Sequence, residues 1–337
     1  MSEKVTLRDV AAHAGVSRAT ASLVLRGTGR VAPRTRERVL ASMAELGYIY
    51  DQVAASLRTR HARVVGVVVT NIGNPNLAEV ILGLEAEFRQ AGYLPLLTVT
   101  RDDAAQQDEA VAALQEHKIA GLAMVPASGT DPALTERLTA SGLGHVFVTR
   151  YVEGARTSFV GTDDIRGGEL AGQHLVEHGC RRLAYLGGPA WMLSRHERLS
   201  GVRRAAESSG GQVEELIDLP SETSGGGGLA AGRELLDRGE LPDGVVCHSD
   251  SVAFGLYRAL RERGVGGEGV RVIGYDDIPG AALWEPPLTS IAVHGRRLGQ
   301  RAARLLLDRM TDPYAAPVVH RSEPELAIRE SCGCRTP

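Results

Sequence analysis

Arg18, Ala19, Ser22, Leu23 and Arg26 fall on one side of a helical stretch within TLRDVAAHAGVSRATASLVLRG, residues 6–27. Guanidinium groups, a hydroxyl and small apolar side chains on one outward face are what a helix needs to enter a DNA major groove. The surrounding residues supply the elements that would present them. Thr6 caps a first helix whose third residue, Asp9, completes a variant capping box. Leu7, Val10, Ala11 and Ala14 follow at i, i+3, i+4 and i+7, one apolar face. Gly15 makes the sharp turn with Val16 beneath it, and Ser17 caps a second helix whose inward residues are Thr20, Ala21 and Val24. Taken alone, these residues also fit an ordinary helical hairpin.

A third helix follows. Pro33 suits its first turn and Gly47 its C′ end, and Val39, Leu40, Met43, Leu46 and Ala44 form the expected buried stripe. The charge distribution points the same way. Residues 1–60 carry ten Lys and Arg against five Asp and Glu, hence +5, whereas the remainder carries 28 against 36, hence −8. A basic head on an acidic body is the electrostatic footprint of a DNA-binding module joined to a second function.

From residue 64 onward, short apolar runs alternate with amphipathic stretches. Buried parallel strands are expected at 64–69, 94–99, 121–125, 145–148, 182–186, 213–219, 245–248 and 270–274. Helices are expected at 77–91, 104–117, 132–141, 167–178, 197–208, 229–238 and 251–263. Two successive βαβ sets imply two doubly wound lobes, with a ligand cleft at the carboxyl ends of the strands.

The string T-L-x-D-V-A-x-x-A-G-V-S-x-x-T-x-S, then V-x-x-x-T-R-x-x-V and E-L-G-Y, resembles the headpiece of the lactose-repressor (LacI) family of bacterial transcription regulators. The body is similar to that family's periplasmic-binding-protein-like effector domain at Gly187-Gly188-Pro189, Arg198 in HERLSGV, Asp250 in CHSDSVAFG, Gly274-Tyr275-Asp276-Asp277, Pro286-Pro287-Leu288-Thr289-Ser290 and Arg329-Glu330-Ser331. The resemblance implies an all-α helix-turn-helix headpiece (1–48), a hinge helix or linker (49–63) and an α/β two-lobed effector-binding and dimerisation domain (64–337). It places the first lobe at 64–162 plus 292–321 and the second at 163–291 plus 322–337, with crossings near 162, 292 and 322.

Residue by residue, the resemblance assigns base reading to Arg18, Ala19 and Leu23. Arg18 would pair bidentately with guanine and Leu23 would meet a thymine methyl. Thr6, Ser17, Thr20, Ser22 and Arg26 would position the backbone. In the linker, Leu57 matches the leucine that wedges into the minor groove, and Ala54 matches the small residue that lets two hinge helices approach. Tyr50 and Asp51 stand where the family commonly has Pro and Asn.

For the effector, Arg198, Asp250 and Asp276 match positions that hold polar ligand groups, and Asn71, Asn76, Thr149, Arg150 and Ser194 fall at the cleft edge. Thr149 replaces a frequent Asp. With Arg150, Arg195, His196 and Arg198 close by in sequence, this suggests a more positive cleft and an acidic sugar derivative as effector. Trp191 and Trp284 are expected to be packed rather than to offer a stacking face.

Other chemistries find less support. SGGGGL at 224–229 has no following Lys-Ser/Thr and reads as a flexible loop rather than a phosphate-binding loop. Cys332-Gly333-Cys334 has no second pair and no nearby histidine in sequence, so two reduced thiols on a loose tail are expected, with no metal and no cofactor. No catalytic triad is recognisable. The absence of a signal-peptide core and of a long apolar run predicts a cytoplasmic protein that avoids membranes. The expected partners are a double-stranded operator, a small sugar-like effector and a second copy of the chain. The lack of C-terminal leucine heptads argues against a coiled-coil tetramer. The competing reading is a solute-binding protein without DNA function.

Overall fold

The computed structural model describes residues 5–26, 29–48, 63–239, 241–266 and 269–334. Residues 1–61 and 62–337 form separate compact units.

The smaller unit contains α1 (Leu7–His13), α2 (Arg18–Arg26) and α3 (Pro33–Glu45). Thr6 caps α1 reciprocally: its Oγ1 accepts from the Asp9 amide at 3.4 Å, and its own amide donates to Asp9 Oδ2 at 2.8 Å. Ser17 caps α2, accepting from the Thr20 amide at 3.1 Å. Gly47, at φ +62°, closes α3, and the Tyr48 amide reaches back to the Met43 carbonyl at 2.9 Å. Val10, Ala11, Ala14, Ala21, Val24 and Val39 form the core.

Two residues depart from the expected stripe: Leu40 is 50% exposed, and Ala44 is exposed as well. The buried side of α3 instead runs through Val39 and Ser42, with Met43 and Leu46 partly covered. Ser42 is paid into this core by hydrogen bonds, since its Oγ donates to the Arg38 carbonyl and lies 3.0 Å from His13 Nδ1 on α1.

The larger unit holds two six-stranded sheets. The first has the order β11-β5-β4-β3-β1-β2 and is wholly parallel. Its strands are β1 (Val64–Val69), β2 (Leu94–Val99), β3 (Gly121–Met124), β4 (Gly144–Val148), β5 (Ser158–Thr162) and β11 (Val319–Ser322). The second has the order β12-β10-β9-β8-β6-β7, parallel except where β12 joins β10. It is built from β6 (Arg182–Leu186), β7 (Glu215–Leu219), β8 (Gly244–Cys247), β9 (Arg271–Asp276), β10 (Thr289–Ala292) and β12 (Glu325–Ala327).

The intervening helices are α4 (Pro75–Gln90), α5 (Ala104–Glu116), α6 (Ala133–Ala140), α7 (Asp164–Glu177), α8 (Leu193–Ser208), α9 (Gly225–Asp237), α10 (Asp250–Glu262) and α11 (Gly295–Thr311). The chain passes between sheets after β5, after β10 and after β11. Strands β5, β10, β11 and β12 and helix α11 lie outside the elements expected from sequence.

Two expectations are corrected here. Strand β2 is not buried: Leu94, Leu96, Leu97 and Val99 are exposed on this edge strand. Residues 224–229 are not a flexible loop. Ser224 caps α9, accepting from the Gly227 amide at 3.0 Å, and the glycines form its first turn. Two of them are required by close packing, because a Cβ at Gly227 would run into the Glu222 carbonyl and one at Gly228 into the Val252 carbonyl of α10; in turn a Cβ at Gly255 of α10 would run into the Gly225 carbonyl.

The same device recurs. Gly168 of α7 faces the Arg198 carbonyl of α8 while Gly201 of α8 faces the Ile165 carbonyl, and Gly83 of α4 and Gly299 of α11 do likewise. Backbone-to-backbone helix pairs therefore set the depth at which α4, α7 and α8 approach the strand ends.

Candidate DNA face and effector cleft

On the headpiece, Arg18 and Ala19 are exposed at the start of α2, with the helix behind them buried through Ala21 and Val24. The first-turn amides of α2 and its capping Ser17 sit at the same end, a favourable position for an anionic backbone. Thr6 and Ser17 spend their hydroxyls on caps, and Thr20 Oγ1 lies 2.9 Å from Ser17 Oγ. Ser22 is half-buried. Leu23 is also half-buried, its methyl groups close over Gly29, so only part of it faces outward. The Arg26 side chain, Ala54 and Leu57 lie outside the described residues.

In the larger unit, Asn71, Asn76, Thr149, Arg150, Ser194, Arg198 and Asp276 line one cleft cavity of about 110 Å³ between the two sheets. Thr149, Arg150 and Ser194 also line an adjoining cavity of about 430 Å³. The loops that bring them together follow β1, β4 and β6, with Asp276 ending β9, so the site stands at the carboxyl ends of the strands.

The backbone is strained at several of these points. Thr149, a β-branched residue, sits at φ +61°, and the Arg150 amide donates back to the Val148 carbonyl at 2.7 Å, closing a tight turn. Asp276, Asp277 and His294 also have positive φ, at 102°, 52° and 52°. Strain of this kind concentrates where a fold holds a ligand.

Arg198 is the centre of the polar network. Its Nε donates to Asp164 Oδ1 at 2.8 Å, its Nη1 to the His248 carbonyl at 2.6 Å, and its guanidinium carbon lies 3.6 Å from the centre of the Tyr275 ring. The Tyr275 hydroxyl donates to the same Asp164 oxygen at 2.8 Å. Burial opposes the Arg198 charge, but Asp164, Tyr275, Asp276 and Tyr185 together outweigh it and raise its pKa. Burial raises the Asp276 carboxyl to about 7, against the pull of Arg198 and with a push from Asp164. His248 is held neutral by burial and by Arg198, Arg195 and Arg150.

Three assignments change. Asp250 does not face the cleft. It is fully buried, with Oδ1 accepting from Ser290 Oγ at 2.6 Å and Oδ2 from the Ile278 amide at 2.8 Å. It ties β10 and the segment after β9 to the start of α10. Burial and the neighbouring Asp276 raise it to about 8.

The positive cleft also dissolves. Arg150 pairs with Asp102 at 2.8 Å, Arg195 is buried against Asp218 and the Gly187 carbonyl, Arg198 pairs with Asp164, and His196 is exposed away from both cavities. Trp191 is not packed: it is 57% exposed and lines the larger cavity, whereas Trp284 stacks on Phe254 with centroids 4.1 Å apart.

Sequence reasoning missed a bridge between the lobes. The Tyr151 hydroxyl, beyond β4, donates to Glu197 Oε1 of α8 at 2.9 Å, and Arg321 of β11 approaches the same oxygen at 3.4 Å. Burial raises the Glu197 carboxyl, countered by Tyr151. No periodicity marks these residues, because their partners lie 46 and 124 positions apart. The expectation of a loose tail is also corrected: Cys332 is fully buried, and His174 and His178, remote in sequence, lie beside Cys334.

Among the described residues no helix is long and apolar enough to cross a membrane. The family model for the lacI family of bacterial regulatory proteins matches residues 6–51, and that for the periplasmic binding protein-like domain matches residues 173–332. The chain is 35% identical to the HTH-type transcriptional regulator CelR of Thermobifida fusca, over 97% of this chain and 98% of that protein. It is 32% identical to the HTH-type transcriptional repressor PurR of Photobacterium profundum, over 97% and 98%.

Among solved structures it resembles the Lac repressor dimer bound to operator and an anti-inducer, with a TM-score of 0.87, 26% identity and coverage of 98% and 99%. It also resembles a CelR–cellobiose complex, with a TM-score of 0.73, 33% identity and coverage of 97% and 99%. These relatives are transcription regulators, not enzymes, and this chain is a DNA-binding regulator with a periplasmic-binding-protein-like effector domain. It belongs to the LacI family.

Proposed function

We propose that this regulator is a repressor of carbohydrate uptake or catabolism genes, acting in the cytoplasm on a palindromic operator as a homodimer. Its effector is a neutral sugar held in the cleft. The observation that carries this reading is the convergence of Asn71, Asn76, Thr149, Arg150, Ser194, Arg198 and Asp276 on one cavity. Amides, hydroxyls, a carboxylate and a guanidinium are the donors and acceptors that sugar hydroxyls need, and the exposed Trp191 offers a flat apolar face at the adjoining cavity. The arginines already have carboxylate partners, so an acidic effector would meet Asp164, Asp276 and Glu197 with little uncompensated positive charge. The cellobiose complex of CelR agrees with a neutral sugar.

Dimerisation is supported by the apolar edge of the first lobe, where Leu82 of α4 and Leu94, Leu96, Leu97 and Val99 of β2 stand exposed. Such a patch on an edge strand calls for a partner. Arg18 and Ala19 would read base edges, with Leu23 contributing an apolar contact, while Thr6, Ser17, Thr20, Ser22 and Arg26 would contact the backbone. Ala54 and Leu57 would act in the hinge. Calorimetric titration of the full chain with cellobiose, ribose, glucose and the corresponding sugar acids tests the effector class. Saturable binding of a neutral sugar supports the proposal; binding of acid forms alone overturns it.

A further inference from the structure

We propose that the carboxyl-terminal turn carries a zinc site in which Cys332 and Cys334 bind the ion together with His174 of α7 and its C-cap residue, His178. Three nitrogen and sulfur donors from segments distant in sequence meet at one place, and a fourth, His178, reaches Cys334. The ligand atoms of His174, Cys332 and Cys334 all lie within 4.8 Å of one another. Cys334 Sγ is 3.1 Å from His178 Nε2 and 3.7 Å from His174 Nε2. Zinc bonds to nitrogen and sulfur imply tetrahedral edges of about 3.3–3.8 Å, which the two histidine contacts of Cys334 approach, and the remaining donors would draw in around the ion.

Local structure supports the arrangement. His174 lies in the last turn of α7 and His178, four residues on, is its C-cap, with ring centroids 4.3 Å apart. His178 Nδ1 lies 2.8 Å from the His174 carbonyl. As a donor there, it leaves the Nε2 lone pair aimed at Cys334, the outer hydrogen bond that metal-bound histidines usually make. Gly333, at φ +86°, turns the chain between the two cysteines. The Thr289 hydroxyl donates to Cys332 Sγ at 3.1 Å, a contact that also suits a thiolate. Two thiolates and two neutral imidazoles would balance the charge of a divalent cation, and thiolate favours zinc over magnesium or calcium. The Cys-x-Cys spacing is tighter than the common zinc pattern, but the His-x₃-His spacing is within it.

The ion would pin the segment that follows β12 to α7, adding a crosslink to the second lobe. Full-length reduced protein without a polyhistidine tag is titrated with cobalt(II), then with zinc(II). The proposal expects one cobalt per chain, with tetrahedral visible bands and thiolate-to-cobalt charge transfer, displaced stoichiometrically by zinc. Cys334→Ser and His178→Gln, both at partly exposed positions, should each weaken zinc binding by more than about a hundredfold. Chelation should lower the Tm of the zinc-loaded chain and leave that of Cys334→Ser unchanged. A reduced, folded chain that gives no charge-transfer band overturns the proposal. So does a band that survives in Cys332→Ser/Cys334→Ser, or a native chain in which these two cysteines are joined as a disulfide.

Discussion

Arg18 is the one long polar side chain exposed at the leading end of α2, and its role separates base reading from backbone contact. Arg18→Ala is expected to relax preference at one base pair per half-site, by about 1–3 kcal/mol, when binding is measured across single-base operator variants. A uniform loss across all variants would make it a phosphate contact. Asp276 gives a pH signature. Its carboxyl titrates near 7, and sugar hydroxyls donate best to the ionised form, so effector affinity should rise as pH is raised through about 7. Asp276→Asn should flatten that profile, and affinity that grows toward acid pH would indicate an anionic effector instead. Stability runs the other way. Asp276 and Asp250 have native pKa values of about 7 and about 8, above the ordinary 3.8. Between these limits the native state holds protons the unfolded chain has released, so unfolding free energy should fall as pH rises, fully by about 8. Asp250 illustrates what sequence does not disclose. A carboxylate beginning a helix reads the same whether it faces a cleft or, as here, spends both oxygens on Ser290 and the Ile278 amide.

The reciprocal glycines make the helix pairs testable as elements. Gly201→Ala would place a methyl group against the Ile165 carbonyl and push α8 off α7, taking Arg198 with it. Urea unfolding should show a loss of about 1–3 kcal/mol, together with weaker effector binding. A neutral or stabilising result, as expected for a glycine in a helix without close contact, would refute the packing role. The first turn of α9 was hidden for this reason: a glycine run has the composition of a loop, and only the folded chain shows Gly227 pressed on the Glu222 carbonyl and Gly228 on α10. The long apolar strands β1 and β6 and the periodic helices were legible because their burial is written in local pattern. Strands β5, β10, β11 and β12 are three to five residues long and contain Ser, Thr, His, Arg or Glu, so their identity depends on neighbours far along the chain. The headpiece was legible almost to the cap, because Thr6, Asp9, Gly15, Ser17 and Gly47 each do local work. The Tyr151–Glu197–Arg321 bridge and the His174–Cys334 contact were not, since only the folded lobes bring those residues together.

At the scale of the molecule, the proposed function needs the DNA-binding headpiece and the effector cleft of one chain to act together with those of a second copy. Leu96→Glu on the exposed edge of β2 should convert the proposed dimer to a monomer by light scattering and reduce operator affinity by about tenfold or more, because two half-sites would no longer be bound together. A variant that stays dimeric would move the interface elsewhere. Ligand-dependent control requires that the effector distinguish two states of the protein, and the Tyr151–Glu197–Arg321 bridge is a contact that separating the lobes would break. The central claim is this coupling. The most direct measurement is operator affinity of the full chain, by fluorescence anisotropy with DNA selected from a random pool, without ligand and with a saturating sugar identified by calorimetry. The operator Kd should shift by about fivefold or more with the sugar present, as a typical coupling energy requires. An identical Kd with and without bound sugar would contradict it.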